Sequence, residues 1–315
     1  MGTSATGAHH ASGSGAAPST PVIGVVGLGR MGAAFATNLL ADGYRVLVRD
    51  RDPERIKALQ ARGAISSASP RDLAECDIVL TSLPNDEALA EVALGDEGLV
   101  AILPAGSVHV STSTVSPMVS RRLAEAHADR GQGYVAAPVL GNPDFARDRT
   151  LFILTGGEAP AVEKVRPVLE RLGQRLFSIG GDPGLANLMK LAANVLTATT
   201  LECMGEVLAL LRKGGVDRHV AFDALTNSLF DSRLHKSYGG KIVEERFSPP
   251  GLTAPLALKD LRLALAEAER TAVPMPAASL VHDHLVAMVA RGWTDLDWSA
   301  LGLLAAVEAG LDDGG

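Results

Sequence analysis

Two residues with usable chemistry stand at a helical spacing in the segment Gly184-Leu-Ala-Asn-Leu-Met-Lys-Leu-Ala-Ala-Asn194. Lys190 and Asn194 are an i,i+4 pair, so a helix presents the amine and the amide on one face. Leu188, Met189, Ala192, Leu196 and Leu201 leave much of the surrounding surface apolar. One reading is a lysine held over a cleft with an amide beside it, placed to move a proton. The other is a solvated pair on an ordinary surface helix. The segment has no Gly or Pro until Gly205, and its apolar pattern resumes to Leu211. That predicts a helix of roughly 40 Å at 1.5 Å per residue, long enough to form a spine between two lobes.

A second constellation lies near the start. Val22–Val26 reads as a buried strand, and Gly27, Leu28, Gly29, Arg30, Met31 and Gly32 follow at once, before a helix from Ala33 to Leu40. This G-x-G-x-x-G sits between strand and helix, the context in which it binds a dinucleotide. Gly27 permits the tight turn, Gly29 lets a pyrophosphate approach the backbone, and Gly32 lets helix and strand pack closely. The helix N-terminus faces the phosphates. A second strand, Arg45–Val48, ends at Arg49-Asp50-Arg51. Asp50 can accept from the ribose hydroxyls of NAD, whereas an arginine such as Arg51 favours the 2′-phosphate of NADP. The sequence offers both, and the arginines tip the choice to NADP, with NAD as the alternative.

Further strands are expected at Asp77–Leu83, Ser107–Val110, Gly133–Val139 entering a turn at Gly141-Asn142, Thr150–Thr155 and Arg175–Ile179. Loops after parallel strand ends form the ligand crevice, which points Leu83, Pro84, Asn85, Ser113 and Thr114 toward nicotinamide and substrate. A helix is expected at Ala161–Leu172, and Gly180-Gly181-Asp182-Pro183 is the hinge into the spine. After Gly214-Gly215 the pattern is almost wholly helical: Val220–Leu229 capped by Asp217, Ala257–Ala268 containing Lys259-Asp260, Pro276–Val289 and Ser299–Ala309. The expected fold is α/β: a Rossmann-type doubly wound sheet over 21–182, then an all-helical lobe over 183–315, joined by the long helix.

Composition fits two domains. At 315 residues, 47% hydrophobic and 21% charged, there is ample apolar material for a core. A net charge of −7 leaves no electrostatic footprint for nucleic acid. Cys76 and Cys203 lack metal-ligand spacing, so no metal is expected, and they fit a reducing cytoplasm. Residues 1–20 are small and polar and read as a disordered tail without a signal peptide. No uninterrupted apolar run of about 18 residues is present, so no membrane span is expected.

Taken in order, Gly27–Gly32, Ser113-Thr114, Ala137-Pro138-Val139 with Gly141, and Gly184 to Lys190 to Asn194 resemble the β-hydroxyacid dehydrogenase family. That family includes 3-hydroxyisobutyrate dehydrogenase, tartronate semialdehyde reductase and glyoxylate/succinic semialdehyde reductases. The resemblance spans about residues 21–305 and implies an NAD(P)-dependent enzyme acting on a small hydroxy acid or semialdehyde. Lys190 would be the general acid/base, with a pKa lowered to ~7–8 by burial and neighbouring cations. Asn194 would orient it or the substrate. Ser113 and the Gly141 and Asn142 amides would hold a substrate carboxylate, and Lys259 would approach the cofactor. A homodimer or homotetramer through the helical lobe is also implied. The chain departs from the family pattern at Ala136-Ala-Pro-Val-Leu140-Gly-Asn142, where Leu140 replaces a hydroxyl and suggests a more apolar pocket. Two alternatives follow: an imine reductase on the same architecture, or a catalytically silent NADP-binding sensor or scaffold.

Overall fold

A computed structural model describes residues 20–311. The tail expected over 1–20 therefore falls, but for Thr20, outside the described residues. One sheet contains β1 (Ile23–Val26), β2 (Val46–Arg49), β3 (Ile65–Ser66), β4 (Ile78–Thr81), β5 (Val108–Ser111), β6 (Gly133–Ala136), β7 (Val139–Leu140), β8 (Leu151–Gly157) and β9 (Gly173–Gly180). Its order is β3-β2-β1-β4-β5-β6-β8-β7, with β9 paired to β8. The first six strands in that order run parallel, β8 runs antiparallel to β6 and β7, and β9 is parallel to β8. All four residues of β1, β4 and β5 are buried. Strands covered on both faces favour apolar side chains on both, as in β1 and most of β4; the polar Thr81 and His109 are buried with hydrogen-bond partners.

The sheet is flanked by α1 (Arg30–Ala41), α2 (Pro53–Gln60), α3 (Asp86–Leu94), α4 (Leu99–Ile102), α5 (Pro117–Ala128), α6 (Pro143–Arg147) and α7 (Ala159–Leu169). The second lobe is built from α8 (Pro183–Lys213), α9 (Arg218–Thr226), α10 (Arg233–Val243), α11 (Ala254–Arg270), α12 (Pro276–Ala290) and α13 (Leu301–Glu308). The α/β class and the helical second lobe match the expectation. Two local expectations do not. The Gly-Asn turn is the start of α6, because the Asn142 side chain accepts from the Asp144 and Phe145 amides and caps it. The helix after Gly215 is capped by Asp217 as expected, its side chain accepting from the His219 and Val220 amides, but it runs from Arg218 to Thr226 rather than to Leu229. Helix α10 gave no pattern, because Gly239 and Gly240 interrupt it. Gly239 is needed there: a Cβ would lie 2.3 Å from the end of Met204 and 2.8 Å from the Phe222 ring.

Helix α8 spans 31 residues, about 46 Å. Asp182 caps its first turn by accepting from the Gly184 amide at 2.8 Å and pairs with Arg121 of α5 at 2.8 Å. Leu191, Val195, Ala198, Leu201 and Leu208 on α8 are buried in the second core with residues of α10, α11, α12 and α13. With a mean hydropathy of 1.2, this helix is long and apolar enough to cross a membrane. Lys190, Asn194 and Glu202 break its apolar run in the sequence; Asn194 and Glu202 are buried within the protein.

Behind the parallel strands lies a buried polar chain. Thr81 Oγ1 is 3.0 Å from His109 Nε2, His109 Nδ1 is 2.9 Å from His127 Nε2, and His127 Nδ1 is 2.6 Å from Gln132 Oε1. The Gln132 amide nitrogen donates to Leu103 O at 2.6 Å, so its oxygen must accept. His127 Nδ1 therefore carries a proton, His127 Nε2 accepts from His109 Nδ1, and His109 Nε2 accepts from the Thr81 hydroxyl. Every link is satisfied with both rings neutral. Burial pushes the pKa of both imidazoles down.

This sets an acid response. The unfolded chain takes up protons on both rings as pH falls below about 6.5, and the folded chain resists. The stability is full above that pH and is lost below it, with a slope of at most about 2.7 kcal/mol per pH unit for two protons. Glu202, pushed up by burial, slopes the other way, so a variant must isolate the rings. In denaturant titrations from pH 8 to 5, His127→Gln should be less stable at pH 8, yet lose stability more shallowly below pH 6.5, by up to about 1.4 kcal/mol per unit. Equal slopes in the two proteins would remove this chain from the acid response.

Candidate active site

The spine brings its amine to the cleft between the lobes. Lys190 Nζ donates to Asn194 Oδ1 at 2.8 Å, and Asn194 Nδ2 donates to Asp260 Oδ2 on α11 at 2.6 Å. Asp260 pairs with Lys259 Nζ at 2.8 Å, and Lys259 donates in turn to Thr114 O in the nucleotide lobe. Asn194 and Asp260 are buried. The Lys190 pKa is lowered to about 8: burial lowers it, Asp260 raises it and Lys259 lowers it again. An amine poised there exchanges protons readily near neutral pH.

A cavity of about 500 Å³ opens over this chain. The nucleotide lobe lines it with Met31, Leu83, Pro84, Ser113, Thr114, Gly141 and Asn142, and the helical lobe with Lys190, Asn194 and Lys259. Ser113 Oγ accepts from the Leu83 amide at 2.8 Å, which leaves its proton to be donated. The Asn142 side-chain oxygen is committed to capping α6, which leaves its backbone and side-chain NH₂ for a ligand. Asn85 does not line this cavity; its Oδ1 accepts from the Ala88 amide at 2.9 Å and caps α3.

Around the glycine turn, Gly27 has φ +87°, and a Cβ there would lie 2.4 Å from Ser82 O. A Cβ on Gly32 would lie 1.9 Å from Gly27 O, whereas one on Gly29 meets nothing within 4 Å. Gly29 is also the N-cap of α1 and supplies no side-chain cap. Open space beside uncapped helix amides fits a dinucleotide pyrophosphate. Leu28 is buried, and its amide donates to Asp50 Oδ2 at 2.5 Å, so that amide is spent within the protein. Asp50 Oδ1 accepts from the Asp52 amide at 2.9 Å. Arg30 and Arg51 are exposed, and Arg49 donates to Ser67 O at 3.2 Å.

Some lining residues carried no signal in the sequence. Phe145, Phe152, Tyr238, Leu252, Leu256 and Trp298 come from five separate stretches that converge only in the folded chain. Of the residues between Phe230 and Lys236, Arg233 faces this cavity, while Phe230 and His235 line a separate groove along α8.

The glycine geometry separates folding from binding. Gly29→Ala should melt at the wild-type temperature without ligand, yet bind NADPH at least tenfold more weakly by fluorescence titration. Gly32→Ala should lower the melting temperature itself. Wild-type NADPH affinity in Gly29→Ala would place the pyrophosphate elsewhere.

Comparison with known proteins agrees with this geometry. Residues 22–181 match the family described as the NAD binding domain of 6-phosphogluconate dehydrogenase, and residues 184–305 match NAD-binding of NADP-dependent 3-hydroxyisobutyrate dehydrogenase. The chain is 38% identical to the uncharacterized oxidoreductase YfjR of Bacillus subtilis over 280 residues, covering 89% of this chain and 98% of that one. It is 31% identical to 2-hydroxy-3-oxopropionate reductase of Escherichia coli, covering 89% and 95%. Among solved structures, Mycobacterium tuberculosis 3-hydroxyisobutyrate dehydrogenase with L-serine is similar, with a TM-score of 0.81, 27% identity, and coverage of 90% and 99%. With its glycine turn, interlobe lysine and helical second lobe, the chain belongs to the β-hydroxyacid dehydrogenase family of NAD(P)-dependent oxidoreductases acting on CH–OH groups.

Proposed function

We propose that Lys190 is the general acid/base of this enzyme, serving a small hydroxy acid or semialdehyde whose reacting carbon lies in the interlobe cavity. The observation that carries the reading is the link from Lys190 through Asn194 to buried Asp260. It holds the amine beside the cavity in one orientation. The bound dinucleotide supplies or accepts the hydride at nicotinamide C4. In reduction, Lys190 donates its proton to the carbonyl oxygen; in oxidation, it takes the proton of the alcohol. Ser113 and the backbone at Gly141 and Asn142 line the cavity beside the substrate's reacting end. Thr114 and Lys259 close the side next to the nucleotide lobe. NADP is the preferred cofactor in this reading: Arg51 is exposed and makes no ion pair among the described residues, and the oxygens of Asp50 each accept a backbone amide. A guanidinium free to fork onto a 2′-phosphate suits NADP.

We also propose a homodimer or homotetramer in the cytoplasm. Leu196, Leu210, Val220 and Leu229 of the helical lobe are 67%, 71%, 62% and 95% exposed, and apolar surface of this kind is covered in assemblies. Light scattering should give at least twice the chain mass of 32.7 kDa; a monomer at micromolar concentration would overturn the assembly.

The central test is NADPH or NADH oxidation over a panel of aldehydes, keto acids and cyclic imines. Aldehydes or keto acids should be consumed, faster with NADPH, and Lys190→Ala should lower kcat by about 10²–10⁴. In wild type, reduction should slow as pH rises through about 8, because the amine loses its proton, and oxidation should slow as pH falls through the same point. Turnover of imines alone, or unchanged kcat in Lys190→Ala, would displace this reading.

A further inference from the structure

Two cations face the cavity without an opposite charge. One is Lys190; the other is Arg233, at the first position of α10. The remaining charged lining residues, Lys259 and Asp260, neutralise each other. Nearby carboxylates are taken. Asp231 pairs with Lys236 at 2.7 Å, Asp144 pairs with Arg147, and buried Asp297 holds Lys241 at 2.9 Å and the Gly251 amide at 2.6 Å. Among the described residues no carboxylate reaches Arg233. Its guanidinium instead lies over the Phe145 ring, 4.7 Å from the centroid. Phe145 belongs to the nucleotide lobe, so the contact spans the cleft and holds the guanidinium at the cavity wall. Stacking occupies the face of the group and leaves its in-plane N–H fork free.

A cation in the first turn of a helix is opposed by the helix dipole, and an anion there is favoured by dipole and guanidinium alike. The fork matches a carboxylate or phosphonate with two parallel hydrogen bonds. Leu140, Phe152, Tyr238 and Leu256 give the same cavity an apolar wall suited to methylene groups.

We propose that Arg233 determines specificity by gripping an anionic group at the end of the substrate remote from its reacting carbonyl. The substrate class is then an aldehyde or ketone joined by a short hydrocarbon linker to a carboxylate or phosphonate. This rests on the reading of the Lys190 end as the reacting end, and a binding measurement separates the two. With the NADP-loaded protein, calorimetry should show glutarate binding at least tenfold tighter than butyrate. Arg233→Gln should abolish that preference and Arg233→Lys should restore part of it. The order of glutarate and 3-phosphonopropanoate identifies the anion favoured. In turnover, Arg233→Gln should lower the kcat/KM ratio of succinic semialdehyde to butanal at least tenfold. An unchanged glutarate preference or turnover ratio in Arg233→Gln, or no glutarate preference in wild type, overturns the proposal even if carbonyls are reduced. A preference that depends on Arg233 in a protein that reduces no carbonyl would uphold the anion site and remove the reaction.

Discussion

A buried carboxylate gives the site its direction. Asp260 sits between α8 and α11, 3% exposed, accepts from the Asn194 amide nitrogen and pairs with Lys259. An amide can be turned over without changing its shape. Turned over here, Asn194 would aim its oxygen at the carboxylate and its NH₂ at the Lys190 amine, two repulsions in place of two hydrogen bonds. Asp260 thereby fixes which end of Asn194 faces Lys190. A lone buried carboxylate would be strongly disfavoured, and Lys259 supplies its counter-charge while also reaching Thr114 O across the cleft. One ionised group thus orients the amine, and its partner ties the helical lobe to the nucleotide lobe.

The legible parts of the sequence were those in which a local rule and the tertiary demand coincide. The glycine turn is legible because its spacing is local: Gly32 answers to Gly27 O five residues away, although Gly27 itself answers to Ser82 at the neighbouring strand's end. The parallel strands are local in the same sense, since burial on both faces leaves an apolar run. Illegible parts came from competing uses of one residue type. Asn85 and Asn142 could each cap a helix or face a ligand, and both cap. Helix α10 was hidden by Gly239 and Gly240, of which Gly239 is crowded by long-range neighbours, Met204 and Phe222. Most of the cavity's apolar wall could not have been read at all, since nothing along the chain marks Phe152, Tyr238 and Trp298 as neighbours.

The spine shows how one helix serves two incompatible demands. Its middle must be apolar enough to be packed by four other helices, and its first turns must hold an amine at the cavity. The compromise is positional. Leu191, Val195 and Ala198 are buried on one side, while Lys190 and Asn194, one turn apart, face the cleft. Close crossing farther along depends on small residues: a Cβ on Gly205 would come within 2.7 Å of Gly302 Cα on α13. The same apolar content is what gives α8 the composition of a membrane span, so hydropathy alone cannot distinguish a spine from an anchor. Here one side of the helix is packed by α10, α11, α12 and α13.

Reactivity and selectivity in this cavity have a common origin. Burial is the largest influence on Lys190 and outweighs the opposing pull of Asp260, which is why the amine falls to about 8 rather than remaining near its ordinary value. Burial at this point is supplied by apolar walls, of which Leu140 is a part. Those walls also cannot solvate a substrate anion. A charged group drawn into such a site is costly unless a cation with matching geometry meets it. The more effectively the walls depress the amine, the more the choice of substrate depends on where the few remaining cations stand. A guanidinium braced on Phe145 is therefore the natural complement of an apolar pocket with a lysine at its base, and the two features are physically one arrangement.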